Sequence, residues 1–166
     1  MEGEPPRQEE ERQREELAPS IEVRALPDPL IEQLGYGPRS HYVEVCWLPV
    51  LGPTATWLYR RLGTWAEAQP DGGEVDLIDL SVSLGLGEGL GYNSLMAKGL
   101  RRLVRFDAAR WTAAGVAVRR ALGPLPERYA TKLSYSAYRF HREALERATG
   151  QAGIAALGRA AAQRVL

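Results

Sequence analysis

The chain has 166 residues, enough for one domain of ordinary size with tails, and its 45% hydrophobic and 25% charged content is that of a globular rather than a disordered protein. Its single cysteine, Cys46, excludes an internal disulfide framework, and no run approaches the roughly 18 apolar residues of a membrane span. The formal charge is zero but unevenly spread: residues 1–40 hold ten acids against five arginines, whereas 93–142 hold eleven Lys or Arg against only Asp107 and Glu127, an asymmetry that points to an anionic partner. The chain opens on a Glu/Arg run rather than the apolar stretch of a secretory signal, so a cytoplasmic, nucleoid-associated location with no membrane partner is expected.

Residues 1–20 are polar, charged and proline-bounded, and read as a disordered acidic tail. Residues 21–52, interrupted by Pro27, Pro29, Pro38 and Pro49, form an N-terminal extension expected to pack on the core. Within it, Leu30 to Leu34 is too short to predict a helix. The apolar run 42–48, with Val43, Val45, Cys46 and Trp47, fits a strand or a helical turn equally. Pro53 suits a helical first turn, and Ala55, Leu58, Leu62, Trp65 and Ala66 recur at helical spacing, which predicts a helix over about 53–68. Gln69-Pro70-Asp71-Gly72-Gly73 ends it. Residues 74–77 read as a short strand or as the lead-in to a helix capped by Asp76, with Leu77, Leu80 and Leu84 on one face. Residues 85–91 are glycine-rich without the spacing of a dinucleotide fingerprint, and read as a flexible turn.

Asn93 is the expected N-cap of a helix over about 94–106. Met96, Gly99, Leu100, Leu103 and Val104 gather on one side of it; Ser94, Lys98, Arg101, Arg102 and Arg105 gather on the other. A helical glycine costs about 1 kcal/mol relative to alanine, so Gly99 on the packed face predicts close approach by another helix. Residues 108–111 and 116–120 read as the strands of a hairpin, with Val116 and Val118 facing inward. Gly123-Pro124-Leu125-Pro126 breaks the chain. The final region is helical from about Ser134, interrupted near Thr149 and Gly150, and its Leu145, Ile154, Leu157 and Val165 suit a homodimer contact.

Helix, short helix, turn, basic helix and hairpin is the order of a winged helix-turn-helix. The expected fold is mainly α with a small β-hairpin: a winged-helix domain over 53–122, with extra N- and C-terminal helical segments, the latter over 123–166. In such a domain the helix at 94–106 enters the major groove and the hairpin at 108–120 lies along the phosphates. Lys98, Arg101, Arg102 and Arg105 would meet DNA from the helix face, Asn93 and Ser94 from its N-terminus, and Arg110, Arg119 and Arg120 from the hairpin. The expected function is transcriptional regulation on double-stranded DNA, without a cofactor. The alternative is a winged-helix module that binds protein instead.

The segment VDLIDLSVSL at 75–84 followed by GLG resembles the short helix before the turn in winged-helix regulators of high-GC bacteria. GLRRLVRFDAARW leading into VAVRRALGPLP resembles their recognition helix and wing. Over roughly 29–142, the PRSHYVEVCWLPVLGPTATWL segment included, the chain resembles a set of bacterial proteins with no assigned activity. The seven residues 85–91 exceed the turn of about 3–4 residues usual in the motif.

Catalytic patterns are not evident. His41 and His141 are a hundred residues apart, and no C-x-x-C, H-E-x-x-H, G-x-S-x-G or P-loop motif occurs. Cys46 in its apolar run reads as an inert buried thiol rather than a nucleophile paired with His41. Asp76 and Asp79 read as cap and solvated positions. Trp47, Trp57, Trp65 and Trp111 read as core more readily than as a stacking platform for bases.

Overall fold

The structure is a computed structural model that describes the backbone of residues 16–163 and the side chains of 16–151. It is a mixed α/β fold, mostly helical, around one four-stranded sheet. The first element was not anticipated. Strand β1 (Ser20–Leu26) turns Ile21, Val23 and Ala25 into the core and leaves Ser20 and Arg24 exposed, the alternation of a strand with one face buried. The disordered reading of 1–20 is therefore corrected at its end. The Leu17 amide donates to the Leu90 carbonyl at 3.0 Å, and Ser20 already pairs with Asp76. Residues 1–15 lie outside the described residues.

Asp28 caps the short helix α1 (Pro29–Leu34) by accepting from the Ile31 amide. Helix α2 (41–51) resolves the ambiguous apolar run as helix, with a π-turn at Val43–Trp47. The buried residues of that turn, Val43, Cys46 and Trp47, fall at i, i+3 and i+4, one helical face. The Trp47 indole N–H donates to the Gly123 carbonyl at 3.0 Å. Helix α3 (Pro53–Ala68) starts and stops where proline and the Pro-Asp-Gly-Gly turn dictate. Strand β2 (Gly73–Asp76) and helix α4 (Leu77–Ser83) share Asp76, whose carboxylate accepts from the Ile78 and Asp79 amides at 2.9 Å, so both readings of this segment hold in succession.

The turn at 85–91 is anchored at two points, with Gly85, Gly87, Glu88 and Gly89 exposed. Leu90 is buried, and the Ser81 hydroxyl donates to the Gly87 carbonyl at 2.5 Å. Helix α5 (Leu95–Arg105) then crosses α3 at Gly99, where an added Cβ would meet Leu58 at 3.1 Å and Thr54 at 3.4 Å. Strands β3 (Ala109–Trp111) and β4 (Gly115–Arg119) form the hairpin. Helices α6 (Glu127–Ala130) and α7 (Tyr135–Gln163) close the chain. The backbone of α7 runs helical through Thr149 and Gly150, so the expected interruption is not there. Of the apolar residues suggested for dimer contact, Leu145 is half-buried; the side chains of Ile154, Leu157 and Val165 lie outside the described residues.

Sheet order is β2-β1-β4-β3. The hairpin is one edge of this sheet rather than a separate ribbon, and β1 lies between β2 and β4, antiparallel to the first and parallel to the second. Segment 21–52 is thus more than an extension on the core: it supplies a central strand and the buried side chains of α2. Gly115 lies opposite Glu22, whose backbone would collide with any Cβ there. One hydrophobic core runs from Ile21 through α2, α3, α5 and the sheet to Ala144 of α7.

Candidate nucleic-acid interface

Helix α5 sets the geometry of the basic surface. Its N-cap is Ser94, one residue beyond the expected Asn93: the Ser94 hydroxyl accepts from the Ala97 amide at 3.1 Å, while Asn93 is exposed in the preceding turn. Met96, Ala97, Gly99, Leu100 and Leu103 are buried. The opposite side presents Leu95, Lys98, Arg102 and Arg105 to solvent. Arg102 and Arg105 also sit in the last turn, where a cation complements the helix dipole.

The guanidinium groups of α5 are steered by rings and carbonyls, not by acids. Arg101 is half-buried: its Nη2 donates to the Tyr92 carbonyl at 2.7 Å and its guanidinium lies 4.0 Å from the Tyr92 ring centroid. Arg102 donates to the Val50 carbonyl at 2.8 Å and lies 5.4 Å from the Phe106 ring. Arg105 lies 5.8 Å from that ring. Among the described residues, Lys98, Arg101, Arg102 and Arg105 form no salt bridge. Phe106, which ends α5, meets the Tyr129 ring edge-on at 5.4 Å, and Arg128 lies 4.8 Å from the Tyr129 ring.

The hairpin departs from expectation. Arg119 is buried, with Nη1 on Asp28 at 2.9 Å, Nη2 on Asp107 at 2.8 Å and Nε on the Asp107 carbonyl at 2.6 Å. The Asp28 carboxyl is held below its ordinary range, first by the Ile31 amide and further by Arg119. Arg120 is half-buried in a two-pronged pair with Glu32, at 2.8 and 2.9 Å. Both arginines are therefore corrected from phosphate contacts to links between the end of β4, α1 and the Asp107 turn. Arg110 stays exposed, 3.4 Å from Asp107. A surface pair of this kind contributes about 0–1 kcal/mol, so Arg110 remains open to other anions. Lys98, Arg102 and Arg105 thus share one exposed helix face, Arg110 stands alone on the hairpin, and Arg119 and Arg120 leave the set.

Two other groups from the sequence have settled positions. Burial pushes the Cys46 thiol up to about 11, which suppresses the thiolate near neutral pH. His141 is buried, and its Nδ1 lies 2.7 Å from the Tyr42 hydroxyl. That hydroxyl also accepts from the Leu125 amide at 2.8 Å, which ties the ring to the chain break before α6. Among the described residues no group of His, Cys, Asp or Glu is arranged to hold a metal ion, and no helix is long and apolar enough to cross a membrane.

Sequence reasoning gave no sign of the Phe106–Tyr129 contact. The two rings are separated by the whole hairpin and a proline-bounded turn, and no periodicity links them. Comparison with protein-family models, with curated proteins and with solved structures finds no match to this chain.

Proposed function

We propose that this protein binds double-stranded DNA as a variant winged-helix domain, a transcriptional regulator, with α5 as the helix that enters the major groove. The observation that carries the reading is the exposed face of α5: Lys98, Arg102 and Arg105 project from a helix packed on its other side, with no carboxylate partner among the described residues. Clustered cations without counter-charges suit a polyanion, and an α-helix fits the width of the major groove. The succession α3, β2, α4, α5, β3, β4 supports it, being the helix, strand, helix, helix and hairpin order of the winged-helix class. Two features would be this chain's own variation: β1 between β2 and β4, and the seven-residue turn at 85–91.

The test is a titration of labelled random-sequence duplex, repeated at several salt concentrations, with the full chain and with Lys98→Ala/Arg102→Ala/Arg105→Ala. The parent should bind with a steep salt dependence, and the triple variant should lose about one unit of log–log slope per phosphate contact removed. Equal binding by parent and variant would remove α5 from the interface. The second reading, a protein-binding module, is favoured by Leu95 and Trp57, each about half exposed where a purely nucleic-acid face would be polar. It predicts no duplex affinity and a partner interaction lost on Leu95→Ser.

A further inference from the structure

We infer that the turn carrying α6, with Arg128 and Lys132, is a second phosphate-binding surface that takes the role the hairpin arginines do not fill. The inference rests on the DNA-binding reading above and names where the duplex backbone lies. Its basis is the Phe106–Tyr129 pair. Two guanidinium groups of α5, Arg102 and Arg105, lie within 6 Å of the Phe106 ring, and Arg128 lies 4.8 Å from the Tyr129 ring that abuts it. Three cations from two separate segments therefore converge on one aromatic pair. Lys132 follows, exposed, in the turn that ends α6.

Convergence of like charges raises the energy of the isolated protein, and carboxylates would relieve it. Among the described residues none pairs with Arg102, Arg105, Arg128 or Lys132. Glu127, next in sequence to Arg128, is exposed and forms no salt bridge with it. By contrast, Asp28, Asp107 and Glu32 are all engaged with Arg119 and Arg120 at the end of β4. Those three acids thus pair with the arginines at the end of β4, while Arg102, Arg105 and Arg128 have no salt bridge among the described residues.

A guanidinium held against a ring face keeps N–H groups on its edges available to phosphate oxygens, and Arg102, which gives one N–H to the Val50 carbonyl, has others left. A duplex with its groove on α5 would pass one backbone strand over Phe106 and Tyr129 toward Lys132. Recognition there is of phosphodiester and carries no base sequence.

The experiment measures salt dependence of duplex binding by fluorescence anisotropy between about 50 and 200 mM salt, using the full chain. Arg128→Ala/Lys132→Ala is expected to lower the log–log slope by about two units and to weaken all duplex sequences alike. Arg24→Ala/Arg139→Ala, which removes two cations ion-paired elsewhere, should leave the slope unchanged. An equal fall in that control would reduce the effect to net charge and overturn the inference. A parent slope retained in Arg128→Ala/Lys132→Ala, with binding lost in Arg102→Ala/Arg105→Ala, would overturn it while leaving the DNA-binding reading intact. Absence of duplex binding by the parent would sink both. All four positions targeted on the interface are exposed, and thermal melting of each variant checks that it folds.

Discussion

Arg119→Met separates the two roles open to a hairpin arginine, phosphate contact and internal strut. The wild-type guanidinium is 8% exposed, whereas its partners Asp28 and Asp107 are 31% and 61% exposed. Remove the cation, and water can solvate both carboxylates. What stays stranded is the Asp107 carbonyl that Nε reaches at 2.6 Å. A hydrogen bond to a charged group contributes about 1.5–3 kcal/mol, and methionine restores part of the apolar burial of the stem, so the net loss should be about 1–2 kcal/mol. Asp28→Asn/Asp107→Asn is the harsher change, because a buried cation is left with no counter-charge, which costs about 3–5 kcal/mol. Asparagine keeps the cap at Asp28 and tolerates the positive φ of 56° at Asp107. Urea unfolding followed through the four tryptophans reads both variants. Stability should fall in the order parent, Arg119→Met, double amide, with the salt slope of DNA binding unmoved in Arg119→Met. A larger loss in Arg119→Met than in the double amide, or a reduced slope at unchanged stability, would refute the strut.

Three further outcomes are expected. His141 has its pKa lowered, mainly by burial, so its neutral form favours folding; that stability is fully present above about 6.5 and declines as pH falls toward the depressed folded value, with a slope of at most about 1.4 kcal/mol per pH unit. His141→Gln should flatten the decline across that window in urea melts at stepped pH. Gly99→Val should cost about 1–3 kcal/mol by overpacking against Leu58 and Thr54, measured by the same unfolding assay. Deleting residues 1–15, which carry Glu2, Glu4, Glu9, Glu10, Glu11 and Glu15, should tighten duplex binding at low salt if this acidic stretch competes for the cationic face; unchanged affinity rejects that competition.

The long elements were legible because their information is local. Pro53 and the Gln69-to-Gly73 turn bound α3, the apolar stripe of α5 is regular, and Gly99 on that stripe anticipated its contact with α3. The strand β1 was not, although Ile21, Val23 and Ala25 alternate with Glu22 and Arg24. Its pairing partner β4 lies some ninety residues on, and the acidic, proline-rich surroundings masked a short alternation. The hairpin arginines were misplaced for a related reason. Strand parity puts Arg119 on the side opposite Val118, away from the expected core; Asp28, from a segment read as peripheral, closes that side. Residues of α5 could be sorted into inner and outer faces from sequence, but Arg101 could not be known to fold back on Tyr92, since nothing in the spacing fixes a guanidinium over a ring nine residues earlier.

The position of β1 has a consequence for how the molecule assembles. Strand β1 can pair with β2 once residue 76 has emerged from the ribosome but with β4 only after residue 119, so the four-stranded sheet is completed late. Until then β1 can pair only with β2, and its other edge, where β4 will lie, stays unpaired. Pairing between chain segments so far apart in sequence slows folding. A nascent chain of this protein should therefore gain protease resistance late, when β4 joins the exposed edge of β1.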